Sequence, residues 1–171
     1  MLKRFETKRL ILRERRIDDL DDCMEMDRDP EVVKHLPENR DLVHDEEKHK
    51  AFIMDKMTTV FPEGLGYWTI ESKEHENAFV GWILLIPVGT VGPEIEMGWR
   101  LKRKFWGNGH ASEAAQAVLE YALYELKLSA VIAEIVADNH ASIALAEKLG
   151  FESAGDSPSG IYTRYTIYND R

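Results

Sequence analysis

Glu94-Ile95-Glu96-Met97-Gly98-Trp99-Arg100-Leu101-Lys102-Arg103-Lys104-Phe105-Trp106-Gly107-Asn108-Gly109-His110-Ala111 runs from a strand-like segment with two carboxylates, through a basic stretch, into a Gly-x-Gly turn that opens an alanine-rich helix. Without a Cβ, Gly107 and Gly109 let main-chain N–H groups come close to a ligand. The start of the following helix adds partial positive charge and unpaired donors. Such a turn suits a phosphate-bearing ligand. A dinucleotide-binding turn fits less well, because that motif needs a third glycine and an early strand–helix–strand unit.

Working outward, Ala111, Ala114, Ala115, Val118, Leu119, Ala122 and Leu126 repeat at the helical period and predict a helix over 109–127. Its small residues let the helix start lie close to a sheet. Val131–Val136 reads as a central strand, and Asp138 or Asn139 caps a short helix to Leu149 that Gly150 ends. Strands at 151–154 and 161–168 flank the loop 155–160. On the other side, strands are expected at 7–14, 66–72, 78–86 and 93–101. Between the first two, a helix from Asp18 or Asp19 to Met26 is followed by a helical turn from Asp29-Pro30 to Leu36. A second helix over 42–60 has Phe52, Ile53, Met57 and Val60 as its apolar side.

At 171 residues, 44% hydrophobic and 31% charged, the composition suits one soluble globular domain over residues 1–171. No apolar run approaches the roughly 20 residues of a membrane span, and the start lacks a secretory apolar core. Cys23 is the single cysteine, so an internal disulfide is excluded and a reducing cytoplasm is expected. Its acidic helix would raise the thiol pKa, which argues against a catalytic thiol. The net charge is −9, and residues 18–63 hold 15 acidic against 6 basic side chains, so the remainder is neutral. That balance disfavours nucleic acid and favours cationic partners, or else marks a solvated pair of helices. His44 and His49 have no metal-ligand spacing, and no metal site is expected. Trp68, Trp82, Trp99 and Trp106 read as core or pocket wall.

The loop Lys104-Phe105-Trp106-Gly107-Asn108-Gly109 resembles the pyrophosphate loop of the GNAT N-acetyltransferases, with Lys104 where Gln or Arg is usual. The form Trp-Gly-x-Gly-x-Ala, followed by Glu113-Ala114, is most similar to the RimJ/RimL-type branch of ribosomal-protein N-acetyltransferases and their small-molecule relatives. Asp138-Asn139-His140-Ala141-Ser142, with Glu147-Lys148-Leu149-Gly150-Phe151, adds a second match in the right order. Thr7–Arg13 extends the resemblance to nearly the whole chain. It implies an α/β fold in the order βααβββαβαββ, with a mixed, mostly antiparallel sheet splayed between its fourth and fifth strands. Periodicity supports the element order and says nothing about the splay.

The resemblance implies acetyl-CoA as cosubstrate and direct transfer to a primary amine. Cofactor contacts would come from Met97, Gly98, Trp99 and Arg100 on the strand, then Lys104, Phe105, Trp106, Gly107, Asn108, Gly109, His110 and Ala111, then Asn139 and Ser142. Amides around Lys104 and from Trp106 to His110 would surround the pyrophosphate, and some of Arg100, Lys102, Arg103 and Lys104 would meet phosphates. Glu96 would activate the amine or attract the cation, with Glu94 on the same face if the strand is regular. A main-chain N–H near Met97 or Gly98 would polarise the thioester carbonyl. Many relatives protonate the thiolate with a tyrosine where this chain has Ala146, so Ser142, with Asn139 holding the pantetheine or a water, would take that role. Capping of a helix is the competing reading of both residues. The two acidic helices would cover a cationic acceptor, such as a basic protein N-terminus, a polyamine or an aminoglycoside-like amine. Dimers are common in the family. The competing class is a non-catalytic acyl-CoA-binding or regulatory module on the same fold.

Overall fold

The computed structural model describes residues 1–170. One eight-stranded sheet runs in the order β1-β2-β3-β4-β5-β6-β8-β7. The strands are β1 Phe5–Glu6, β2 Leu10–Glu14, β3 Gly66–Ser72, β4 Ala78–Pro87, β5 Ile95–Leu101, β6 Ala130–Ile135, β7 Glu152–Asp156 and β8 Thr163–Tyr168. Helices α1 Leu20–Arg28, α2 Pro30–Val33, α3 Pro37–Arg40 and α4 Glu46–Thr58 lie between β2 and β3. Helix α5 His110–Glu120 joins β5 to β6, and α6 His140–Leu149 joins β6 to β7. The element order is the one the sequence predicts, with β1 and the short α3 as additions.

Every neighbouring pair is antiparallel except β5 and β6, which are parallel and share one pair, Glu96 with Ile132. By contrast, β5 is paired with β4 without a break from Ile95 to Leu101. The sheet therefore holds on one side of β5 and opens on the other beyond Glu96. That opening is the expected splay.

Both faces of the sheet are covered, which is why β4 reads as a continuous apolar run. Leu10, Leu12, Trp68, Val80, Leu85, Met97 and Leu101 pack with Ala114, Ala115, Val118 and Leu149 of α5 and α6. On the other face Phe79, Trp82 and Leu84 pack with Cys23, Met24, Met26, Val32 and Ile53 of the α1–α4 segment. Ala114, Ala115 and Ala122 are fully buried, so the small face of α5 is what lets it sit against the strands.

Several boundaries differ from expectation. Helix α4 starts after Asp45, which accepts from the Lys48 N–H (3.1 Å). It ends at Thr58, where Thr59 turns extended (φ −64°, ψ 130°) and the Thr58 and Thr59 hydroxyls donate to carbonyls of the last turn. Val60 is consequently outside the helix and 93% exposed, not part of its apolar side. The predicted helix 109–127 closes as a wider π-type turn over Tyr121–Glu125. Cys23 is buried in α1, and burial, more than its acidic neighbours, pushes its thiol up to about 12. No helix among the described residues is long and apolar enough to cross a membrane.

Candidate active site

Alternation along β5 sends Met97, Trp99 and Leu101 towards the α5/α6 side and Glu96, Gly98 and Arg100 towards α1–α4. Two cavities meet across this strand. The first, about 290 Å³, is lined by Glu96, Met97, Gly98, Glu134, Tyr162, Arg15, Trp82 and residues of α2–α4. The second, about 470 Å³, is lined by Phe105, Trp106, Gly107, Gly109, His110, Ala111 and Ser112 and by one side of α6. His35, Leu36, Trp99, Arg100, Asn139 and Ser142 line both, so the cavities adjoin where the sheet opens.

The glycine loop is built for open amides. Gly107 and Gly109 adopt φ of +73° and +78°, a left-handed conformation that glycine tolerates and branched side chains do not. Among the described residues, the amides from Gly107 to Ser112 have no main-chain acceptor, as befits a helix start. The Trp106 amide, expected to face a phosphate, instead bonds the Arg103 carbonyl, and Phe105 bonds that of Lys102 (3.0 Å each). Those two residues shape the turn from within. The Trp106 indole N–H donates to the Leu101 carbonyl (2.9 Å), and the His110 ring is buried against Phe105. Behind the loop, the Arg9 main-chain N–H and Nε donate to Glu113 (2.8 and 2.7 Å) while Nη1 donates to the Asn108 carbonyl (2.8 Å). Sequence reading did not reveal this brace, whose partners lie about a hundred positions apart.

The basic stretch is mostly neutralised from across the sheet. Arg100 is bound to Asp27 (2.9 Å) and stacks on Trp82, so it is committed to that carboxylate and not to a phosphate. Lys102 meets Asp22 and Glu25 (3.0 Å each), and Arg103 meets Asp29 (2.9 Å). Lys104 alone of the four carries no ion pair among the described residues; its Nζ lies over the Phe105 ring. Much of the acidic surplus of residues 18–63 is thus spent on the chain's own cations. The expected anionic lid for a cationic acceptor does not follow from it. His49, which the sequence gives no metal-ligand spacing, is buried with its Nε2 3.1 Å from Asp27.

Glu96 and Glu94 part company. Glu94 precedes β5, and both its oxygens accept from Arg164 (2.9 Å each). Glu96 lines the first cavity with no side-chain hydrogen bond among the described residues. Burial, then the neighbouring Glu134, raises its pKa to about 7; Arg164 offsets this only in part. Arg164 is held by Glu134 (2.8 Å) as well as Glu94. Glu134 interrupts the apolar run of β6, and that was the available sign that this strand borders a cavity.

Asn139 caps α6, its Oδ1 accepting from the Ser142 N–H (3.3 Å), so the capping reading holds for that oxygen. The Trp99 indole N–H donates to the Ser142 Oγ (3.2 Å). The serine hydroxyl hydrogen therefore remains available to a further acceptor at the junction. His35, which sequence reading passed over, stands at the same junction with its Nδ1 3.4 Å from Asp138.

The comparisons with known proteins agree with this architecture. Residues 9–152 match the family model described as Acetyltransferase (GNAT) domain. The chain is 37% identical over 162 residues to FsC-acetyl coenzyme A-N(2)-transacetylase of Aspergillus fumigatus, covering 84% of this chain and 67% of that one. It is 32% identical over 153 residues to the uncharacterized N-acetyltransferase YnaD of Bacillus subtilis, covering 87% and 82%. A GNAT-family acetyltransferase structure from Bacillus anthracis superposes with a TM-score of 0.78 at 27% identity, over 99% of this chain and 100% of that one. The chain therefore belongs to the GNAT acetyltransferases and is an acetyl-CoA-dependent N-acetyltransferase.

Proposed function

We propose that the chain moves the acetyl group of acetyl-CoA directly onto a primary amine, with the second cavity holding the cofactor and the first holding the acceptor. The observation that carries this is the junction of the two cavities at Trp99, Asn139 and Ser142, with the glycine loop at one end and Glu96 at the other. The open amides from Gly107 to Ser112 suit a pyrophosphate, since main-chain donors are already fixed in place. Lys104, free of ion pairs among the described residues, suits a further phosphate.

At the junction the amine nitrogen attacks the thioester carbonyl carbon. Glu96, ionised above about pH 7, takes a proton from the nitrogen. A main-chain N–H of β5 near Met97 or Gly98, on the side that the β6 ladder leaves open, donates to the developing oxyanion. The carbon–sulfur bond breaks, and the Ser142 hydroxyl donates its hydrogen to the departing sulfur while its oxygen regains a proton from solvent, to which Glu96 in turn releases the one it took. No atom of the enzyme is acylated. The RimJ/RimL-type motifs favour a chain N-terminus as acceptor, whose α-amine (pKa ~8) loses a proton far more readily than a lysine side chain. The name of the Aspergillus relative favours an amine designated N(2).

Coenzyme A release measured against amines and N-terminal peptides tests the reading. At least one acceptor should drive release, and Glu96→Gln should slow it roughly 10²-fold. Tight acetyl-CoA binding with no acceleration by any amine would instead identify a binding module.

A further inference from the structure

We infer that the acceptor carries an anionic group, which docks on Arg15 while its amine faces Glu96. This rests on the reading of the first cavity as the acceptor site.

The sides of that cavity differ in charge. Glu96, Glu38 and Glu134 gather near Tyr162, whose hydroxyl lies within electrostatic reach of all three. Arg15 and Lys56 also line the cavity, and Tyr67 stands between, within reach of Arg15, Arg100 and Glu96. The acidic charge that acts on Arg15, Asp19, is already held by Arg13 (2.7 Å), and Asp27 of the cavity lining is shared by Arg100 (2.9 Å) and His49 (3.1 Å).

Arg15 stands apart from the other arginines of the interior. Arg13 is held by Asp19 and Glu71, Arg100 by Asp27, and Arg164 by Glu94 and Glu134. Arg15 has no ion pair among the described residues, and its Nη2 is buried without a hydrogen-bond partner. Its guanidinium lies flat on Tyr67, with Cζ 3.7 Å from the ring centroid. Stacking fixes the plane and leaves Nη2 without an acceptor. A buried Nη2 without an acceptor is costly, and desolvation of the guanidinium depresses its pKa. A carboxylate or phosphate supplies what is missing, because planar donors of this kind bind such groups with two parallel hydrogen bonds. Lys56, with its ammonium over the Phe52 ring and no ion pair among the described residues, adds to the attraction. An amine that also bears an anion, as amino acids do, matches both ends of the cavity.

Matched acceptors provide the test. Primary amines of one chain length are compared as 4-aminobutyrate, its amide and butylamine, with O-phosphoethanolamine against ethanolamine separating phosphate from carboxylate. Coenzyme A release gives kcat and KM. Quenching of Trp82 and Trp99 fluorescence in the coenzyme A-loaded protein gives binding without chemistry. The anionic member of at least one series should have kcat/KM on the order of 10²-fold above its neutral partners. Arg15→Gln should erase that preference through KM, leaving the neutral amines within about threefold. Arg15→Lys, which keeps the charge and loses the fork, should retain part of it, and covers the case of a Gln variant that does not fold. Equal or better use of the neutral amines, or a preference that survives Arg15→Gln, overturns the inference and leaves the acetyltransferase reading intact. Selective binding of the anionic amines without turnover would sink the catalytic reading and leave the docking site standing.

Discussion

Glu96 is a residue whose surroundings set a measurable pH response. Its pKa is raised to about 7 by burial and by Glu134, so it is neutral in acid and ionised only near neutrality. A limb in kcat/KM with a midpoint near pH 7 is expected for the wild type, and Glu96→Gln should lose it. The same shift acts on stability with the opposite sign to an ordinary ion-paired carboxylate. Because the folded state holds the proton more tightly than the unfolded chain, the carboxylate destabilises as pH rises from about 4.5 to 7, and fully above that. Glu96→Gln should therefore be more stable than wild type at pH 8, by at most about 3–4 kcal/mol, and indistinguishable below pH 4.5 in urea titrations. Ser142 gives a cleaner separation of chemistry from binding. Ser142→Ala should lower kcat roughly tenfold to hundredfold while the KM for acetyl-CoA stays within about threefold. Asn139→Ala should cost about 1 kcal/mol of stability through the lost cap, measurable by denaturation without any substrate.

At the level of elements, the glycine turn and α5 act as one unit. A Cβ at Gly107 would meet nothing within 4 Å and at Gly109 only Arg9 Nη2, at 3.3 Å, so the demand for glycine is conformational and not one of space. Gly107→Val should weaken coenzyme A binding more than Gly107→Asn, since asparagine tolerates the left-handed region and a β-branched residue does not. Calorimetric titration with coenzyme A distinguishes them; equal affinities would mean that these amides do not hold the pyrophosphate. This turn was legible in the sequence because positive φ and a helix start leave a local signature. What braces it was not. Arg9, Glu113 and Asn108 meet only after folding, and each alone reads as a surface polar residue. The same holds for Trp99 and Ser142, 43 positions apart. The end of α4 was misread at Val60 because Thr59 leaves the helical conformation with no glycine or proline at the break to mark it.

Across the whole molecule, charge is arranged by cross-sheet pairing and not by region. Residues 18–63 look like an acidic lid in the sequence, yet Asp19, Asp22, Glu25, Asp27 and Asp29 are all paired with cations outside that segment. Composition reports totals and is blind to such pairing, which is why the electrostatics of the acceptor cavity could not be read from it. The Asp27–Arg100–His49 cluster ties α1 and α4 to β5. Burial alone would raise the Asp27 pKa, but Arg100 and His49 outweigh it and hold it low. Asp27→Asn should cost about 3–5 kcal/mol above pH 5, because Arg100 is left without its counter-charge. The difference should shrink as pH falls through the depressed Asp27 pKa, where the wild type also loses the anion. Element order, strand positions and the glycine loop were within reach of the sequence. The meeting of two cavities across β5 was not, because it depends on one parallel pair, Glu96 with Ile132, ending the ladder.

That junction is tested most directly by crystals grown with coenzyme A. The pyrophosphate is expected on the amides of Gly107 to Ser112, with the sulfur at the gap between β5 and β6 and within about 4 Å of the Ser142 hydroxyl. A pyrophosphate bound elsewhere, or a sulfur turned away from the cavity that holds Glu96, would contradict it.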